Sequence, residues 1–89
     1  MTVKSDIETA LASYDIREIT YAEYRKPRSH SIARYLVDVH VEHAELTDIP
    51  TIVTALEAIT GYIAVIARLT SSWPRGDLYY SRFEVEILT

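Results

Sequence analysis

Asp38, His40 and Glu42 are the residues whose types and spacing come closest to a chemical site. On an extended strand, residues two apart share a face about 7 Å from one another. All three would therefore project together, and a divalent cation could be held there if a neighbouring strand added a ligand. The competing reading is a solvated sheet face whose charges pair across to Arg82. No closed ligand set is visible, so the expectation is no metal and no cofactor. His43 has the opposite parity and should end an apolar row at the sheet rim. His40 and His43 do not form a zinc-protease motif, which requires a helix. No serine or threonine sits on a glycine elbow or has a base at motif spacing. Two glycines are too few for a phosphate-cradling loop, and cysteine is absent. Glu84 and Glu86 read as solubilising charges on an exposed strand face, not as an acid and a base with separated affinities for a proton. The expectation is a protein that is not an enzyme.

The elements that would carry these residues alternate in kind. Ser5-Asp6-Ile7-Glu8 has the pattern of a capping box. Ile7, Ala10, Leu11 and Tyr14 follow at helical spacing, so a short helix should run to Ser13–Asp15. Ile, Thr and Tyr favour a strand over 16–26, and Arg25-Lys26-Pro27-Arg28 opens a polar loop. Over 32–43 the alternation is clean, with Tyr35, Val37, Val39 and Val41 on one face. A second helix should start near Thr47–Pro50, with Asp48 as a cap and proline tolerated in the first turn. Its buried stripe is Ile49, Ile52, Val53, Leu56 and Ile59, and Gly61 suits the chain reversal after it. A strand over 62–70 is apolar on both faces, which suits a central strand or one facing a partner. Residues 71–77 read as a loop, and 78–88 as a last strand with Tyr79, Phe83, Val85 and Ile87 inward. The fold class expected is α+β, in the order α-β-β-α-β-β, with a four-stranded antiparallel sheet and both helices on one face. The expected core is Val37, Val39, Val41, Ile52, Val53, Leu56, Ile63, Val65, Phe83 and Val85.

Eighty-nine residues amount to a single domain, 1–89. Sliding the chain by 42 residues, without a gap, sets Ser5-Asp6-Ile7 on Thr47-Asp48-Ile49, Ala22 on Ala64, Leu36 on Leu78 and Glu42 on Glu84. This reads as an internal duplication with pseudo-repeats at about 5–46 and 47–89. No apolar run approaches the ~20 residues of a membrane span. Residues Met1–Asp6 hold no apolar signal core. The expectation is a cytoplasmic protein without a membrane partner.

Charge and aromatic residues point to contact surfaces. The net charge is −4, with 13 acidic and 9 basic residues, which disfavours general nucleic-acid binding. Four of the basic residues, Arg25, Lys26, Arg28 and Arg34, lie within ten positions. Under the 42-residue displacement this basic tip matches a second one carrying Arg68, Trp73 and Arg75. Such tips blunt strand edges, touch nucleic acid or anchor a protein interface, for which Trp, Tyr and Arg are well suited. An acidic protein with a basic tip favours head-to-tail contact with itself or an acidic partner. Leu36, Tyr62, Ala64, Ile66, Leu78, Tyr80 and Leu88 fall on the sheet face away from the helices, and a contiguous apolar patch there would mark an interface.

The layout of a short helix, Tyr21-Ala22-Glu23-Tyr24, a proline-containing loop, Tyr35 to Val41, a helix at 50–60, a loop with Trp73, and a closing strand Leu78 to Ile87 resembles the small tail-terminator and tail-completion proteins of tailed phages. The resemblance implies a non-enzymatic subunit at the end of a tail tube, with other phage assembly proteins as partners, and it carries over no catalytic residues. The function expected is a structural assembly protein acting as a homo-oligomer. The alternative is a small regulatory or inhibitor module that contacts nucleic acid, or a nucleic-acid enzyme, through the basic tips.

Overall fold

The computed structural model describes residues 3–24 and 34–88, the side chains of 21–24 and of Arg34 excepted. Its order is α1 (Val3–Ala10), β1 (Asp15–Tyr24), β2 (Arg34–His43), α2 (Asp48–Glu57), β3 (Ala64–Arg75) and β4 (Leu78–Leu88). The strands form one antiparallel sheet in the order β1-β2-β4-β3. The fold is therefore α+β with the expected α-β-β-α-β-β order. The cleanly alternating strands, β2 and β4, lie at the centre. β3 is an edge strand, which excludes the first of the two positions its apolar faces suited, a central one.

One core sits between the sheet and the helices. Ile7 and Leu11 from the first helical segment meet Ile52 and Leu56 of α2 over Val37, Val39, Val41, Phe83, Val85 and Ile87, all fully buried. Period-2 strands and 3.6-period helices each turn one apolar side to this layer. Val53 and Val65 pack at its margin. Ile63 does not belong to it: the side chain is 65% exposed, while its N–H donates to the Leu88 carbonyl at 2.8 Å.

α1 begins before Ser5, so Ser5 is not a cap. Its carbonyl accepts from the Thr9 hydroxyl inside the helix. Asp48 does not cap α2 through its side chain, which instead accepts from the Glu45 N–H in the preceding turn at 3.0 Å. Residues 71–75 are not a loop but the end of β3, and the hairpin turn is only Gly76-Asp77. Gly76 has φ +63°, as the first central position of a type II′ turn requires. Pro74 is tolerated because β3 is an edge strand, where a missing N–H interrupts no ladder on the open side.

Each edge strand carries one bulge. In β1 the extra residue is Arg17, opposite Val41 and His40; in β3 it is Thr70, opposite Phe83 and Arg82. The 42-residue displacement carries Val41 and His40 onto Phe83 and Arg82. It does not carry β1 onto β3. Ala22 lies opposite Leu36, whereas Leu78 lies opposite Arg75, so the sheet counterpart of Ala22 is Arg75 and not Ala64. The ungapped alignment fails there because the two hairpin connections differ in length.

Candidate interaction surface

The outer sheet face is a belt of charges with apolar groups at either end. Arg17 donates to Glu42 at 2.6 Å and lies 2.9 Å from Asp15. Arg82 donates to Asp38 at 2.7 Å, and Arg68 to Glu84 at 2.5 Å. The pKa of Arg17 is raised by its hydrogen bond to Glu42 and then by the charge of Asp15; that of Arg82 is raised by Asp38. His40 Nδ1 shares a 3.0 Å hydrogen bond with the Tyr80 hydroxyl. Asp38, His40 and Glu42 do share a face, but each is engaged by a different neighbour. No group of three such ligands able to hold a metal occurs among the described residues.

The predicted apolar row is divided. Glu86 stands between Leu36 and Ile66 in one cross-strand row, and the charged rows of Glu84 and Arg82 separate these from Tyr80. Tyr62 is not on the outer face. It precedes β3, and its hydroxyl donates to Asp6 of α1 at 2.5 Å. That bond and partial burial against the core raise the Tyr62 pKa to about 12. Ala64 is half-buried beside Leu88, and Ile66 is 50% exposed.

At the other end Trp73 and Tyr80 are directly opposite one another on β3 and β4, with ring centroids 4.9 Å apart. The Arg75 guanidinium lies 5.3 Å from the centre of the Tyr80 ring. Trp73 remains 42% exposed, so the pair forms a platform, not a sealed cluster. Both Trp73 and Arg75 are strand residues and do not belong to a loop tip. Arg25, Lys26 and Arg28 lie outside the described residues.

Sequence reasoning missed a buried polar chain on the inner face. His43 and Ser81 are the buried polar residues of the described chain. His43 Nδ1 is 2.8 Å from the Glu45 carbonyl, which only accepts, so Nδ1 carries a proton. In the neutral ring Nε2 then accepts from Ser81 at 2.6 Å, and Ser72 shares a 2.9 Å bond with Ser81. The parity of His43 was readable. The inward turn of Ser72 was not, because it follows from the bulge at Thr70. Ser81 is wholly buried, so this chain satisfies polar groups in the core and offers no open nucleophile. An open groove between the helices, lined by Asp6, Thr9, Ala10, Ala55, Ala58 and Ile59, brings no acid–base pair together.

No protein-family model matches the chain, and no curated protein matches it. No helix among the described residues is long and apolar enough to cross a membrane.

Proposed function

We propose that this chain is a non-enzymatic assembly subunit that self-associates along β3 and the adjoining outer face. One observation carries the reading. Among the described residues six large apolar side chains are exposed, and five of them lie on β3, just before it or at its hairpin: Ile63, Ile66, Leu69, Trp73 and Leu78. They follow the open edge from both faces, Leu69 on the side of the buried Phe83 and Ile66 and Trp73 on the outer face, and apolar groups that share one edge are what an edge contact requires, whereas scattered ones need no explanation. A 12-residue strand spans about 40 Å. That is long enough for a strip approaching the ~800 Å² per partner of an ordinary interface. The finer reading, a subunit completing a phage-type tail, is supported by the resemblance in layout.

Light scattering after size exclusion tests the proposal. The wild type should show a mass above the monomer at micromolar concentration. Ile66→Asp should lower it to the monomer, because it sets a charge in the contact and not in the core. Its melting temperature should stay within about 3 °C of the wild type, as for other surface changes. A wild type that is monomeric at high micromolar concentration, or an Ile66→Asp chain that unfolds, overturns the reading.

A further inference from the structure

We infer that β3 pairs antiparallel with the β3 of a second copy about a twofold axis, in one register: Leu69 of each copy lies opposite Ser72 of the other. This rests on the self-association proposed above and specifies its geometry. The backbone of the open edge sets the register. The turn at Gly76-Asp77 joins Arg75 to Leu78, the pair that a two-residue turn closes with a hydrogen bond. Along an antiparallel pair, residues bonded across alternate with residues whose N–H and C=O point away. Arg75, Trp73 and Ser71 are therefore bonded to β4, while Pro74 and Ser72 face the open side. The extra residue at Thr70 resets the alternation. Before it, Ala67 faces the open side, because its N–H donates to Oε2 of Glu57 on α2 at 3.1 Å. Leu69, two residues further along the strand, shares that direction.

Two positions on this edge are closed to a partner strand. The Ala67 N–H is taken by Glu57, and Pro74 has no N–H to give. Between them, Leu69 and Ser72 turn a backbone donor and acceptor to the open side. A strand fits along this stretch when its own closed positions fall at the ends, and β3 itself meets that condition. With Leu69 against Ser72, Ala67 of each copy falls against Pro74 of the other. Neither member of that pair has a donor to spare, so none is stranded and the ladder ends there on both sides. Shifting the register by two residues in either direction sets Leu69 against Pro74 or Ser72 against Ala67, and a free donor then meets a closed position.

The bulge obeys the same symmetry. In this register the Thr70-Ser71 steps of the two copies face one another, so both strands take the same number of residues from Leu69 to Ser72. A surface that matches itself in this way makes an isologous contact, which closes as a dimer. On the outer face Arg68 comes to lie opposite Trp73 of the second copy. The indole is partly exposed and the Arg68 side chain largely so. A guanidinium over an indole is favourable, and the bond from Arg68 to Glu84 keeps its charge balanced.

Disulfide trapping decides the register, because the chain has no cysteine of its own. Arg68→Cys and Trp73→Cys chains are mixed one to one and oxidised. Opposed residues of a pair not bonded across lie about 4.5 Å apart at Cα, within reach of a disulfide, whereas two copies of position 68 lie about five residues, or about 17 Å, apart along the strands. The mixed disulfide should therefore exceed either symmetrical one at least about tenfold. If Trp73→Cys loses its far-UV circular dichroism, Leu69→Cys with Ser72→Cys tests the same register. In the wild type, amide exchange at Leu69 and Ser72 should slow at least about tenfold as the protein is concentrated from monomer to dimer. If symmetrical disulfides match the mixed one, or if those amides exchange alike in monomer and dimer, the β3 ladder falls while self-association stands. A wild type that light scattering finds monomeric overturns both.

Discussion

Tyr62→Phe isolates the tie between α1 and the base of β3. Eight residues are too few for a helix to persist alone in water, so α1 depends on its docking. It is held by Ile7, by Leu11 just beyond its end, and by the 2.5 Å bond from the Tyr62 hydroxyl to Asp6. A hydrogen bond to a charged group contributes about 1.5–3 kcal/mol when shielded. Tyr62 is half-buried, so about 1–2 kcal/mol is expected at pH 7. The same bond sets a pH dependence. Tyr62 titrates at about 12 in the folded chain against 10.0 when free, through the bond to Asp6 first, then burial and the Asp6 charge. Below pH 10 the phenol is protonated in both states and the stabilisation is complete. Between pH 10 and 12 the unfolded chain ionises first, which favours unfolding. Two pH units at 1.36 kcal/mol each set a ceiling of about 2.7 kcal/mol, and solvent access lowers this to about 1–1.5 kcal/mol. Urea unfolding of both chains at pH 7, 10 and 12 measures the effect, with the other tyrosines cancelling in the difference. The phenylalanine chain should be weaker at pH 7 and should lose less stability above pH 10. A cost under about 0.5 kcal/mol at pH 7 (the scatter of a neutral surface change), or an identical loss in both chains above pH 10, refutes the reasoning.

Other substitutions probe the core. Leu56→Ala should cost about 2–5 kcal/mol in chemical denaturation, because a fully buried leucine leaves a cavity; a loss under about 0.5 kcal/mol would remove it from the core. Ser81→Ala should cost about 1–3 kcal/mol by leaving His43 Nε2 buried without its partner. In a double-mutant cycle with His43→Phe the two costs should fall short of additive by at least about 0.5 kcal/mol, and strict additivity would show that the 2.6 Å contact contributes nothing.

The sequence was most legible where a single period ran without interruption. Val37, Val39 and Val41 alternate with Asp38, His40 and Glu42, and that contrast alone sets the inner and outer faces of β2. Phe83, Val85 and Ile87 do the same for β4, while Ile52 and Leu56 mark the helix that covers them. Edge strands were harder to read because they obey weaker rules. Ser71, Ser72 and Pro74 carry turn chemistry, yet an edge accepts them. One extra residue at Thr70 then reverses the parity of everything beyond it. That reversal puts Ser72 against Ser81 and sets Trp73 on the outer face beside Tyr80. Trp73 could be singled out by type, but its neighbour could not be named until the pairing was known. Parity correctly turned Leu36, Ile66 and Tyr80 outward. Whether they touch depends on strand order, and the order β1-β2-β4-β3 inserts Glu86 between the first two and the charged rows before the third. Tyr62 failed for a different reason: counting back from β3 assumes that the strand has already begun, whereas the chain there is still leaving the helix and the phenol reaches Asp6. An alternation pattern thus reports the direction of a side chain only within a strand, and the surface that binds a partner is composed across several. The β3 edge is where these limits coincide, since its bulge, its proline and its exposed apolar groups all occur on a strand with one open side.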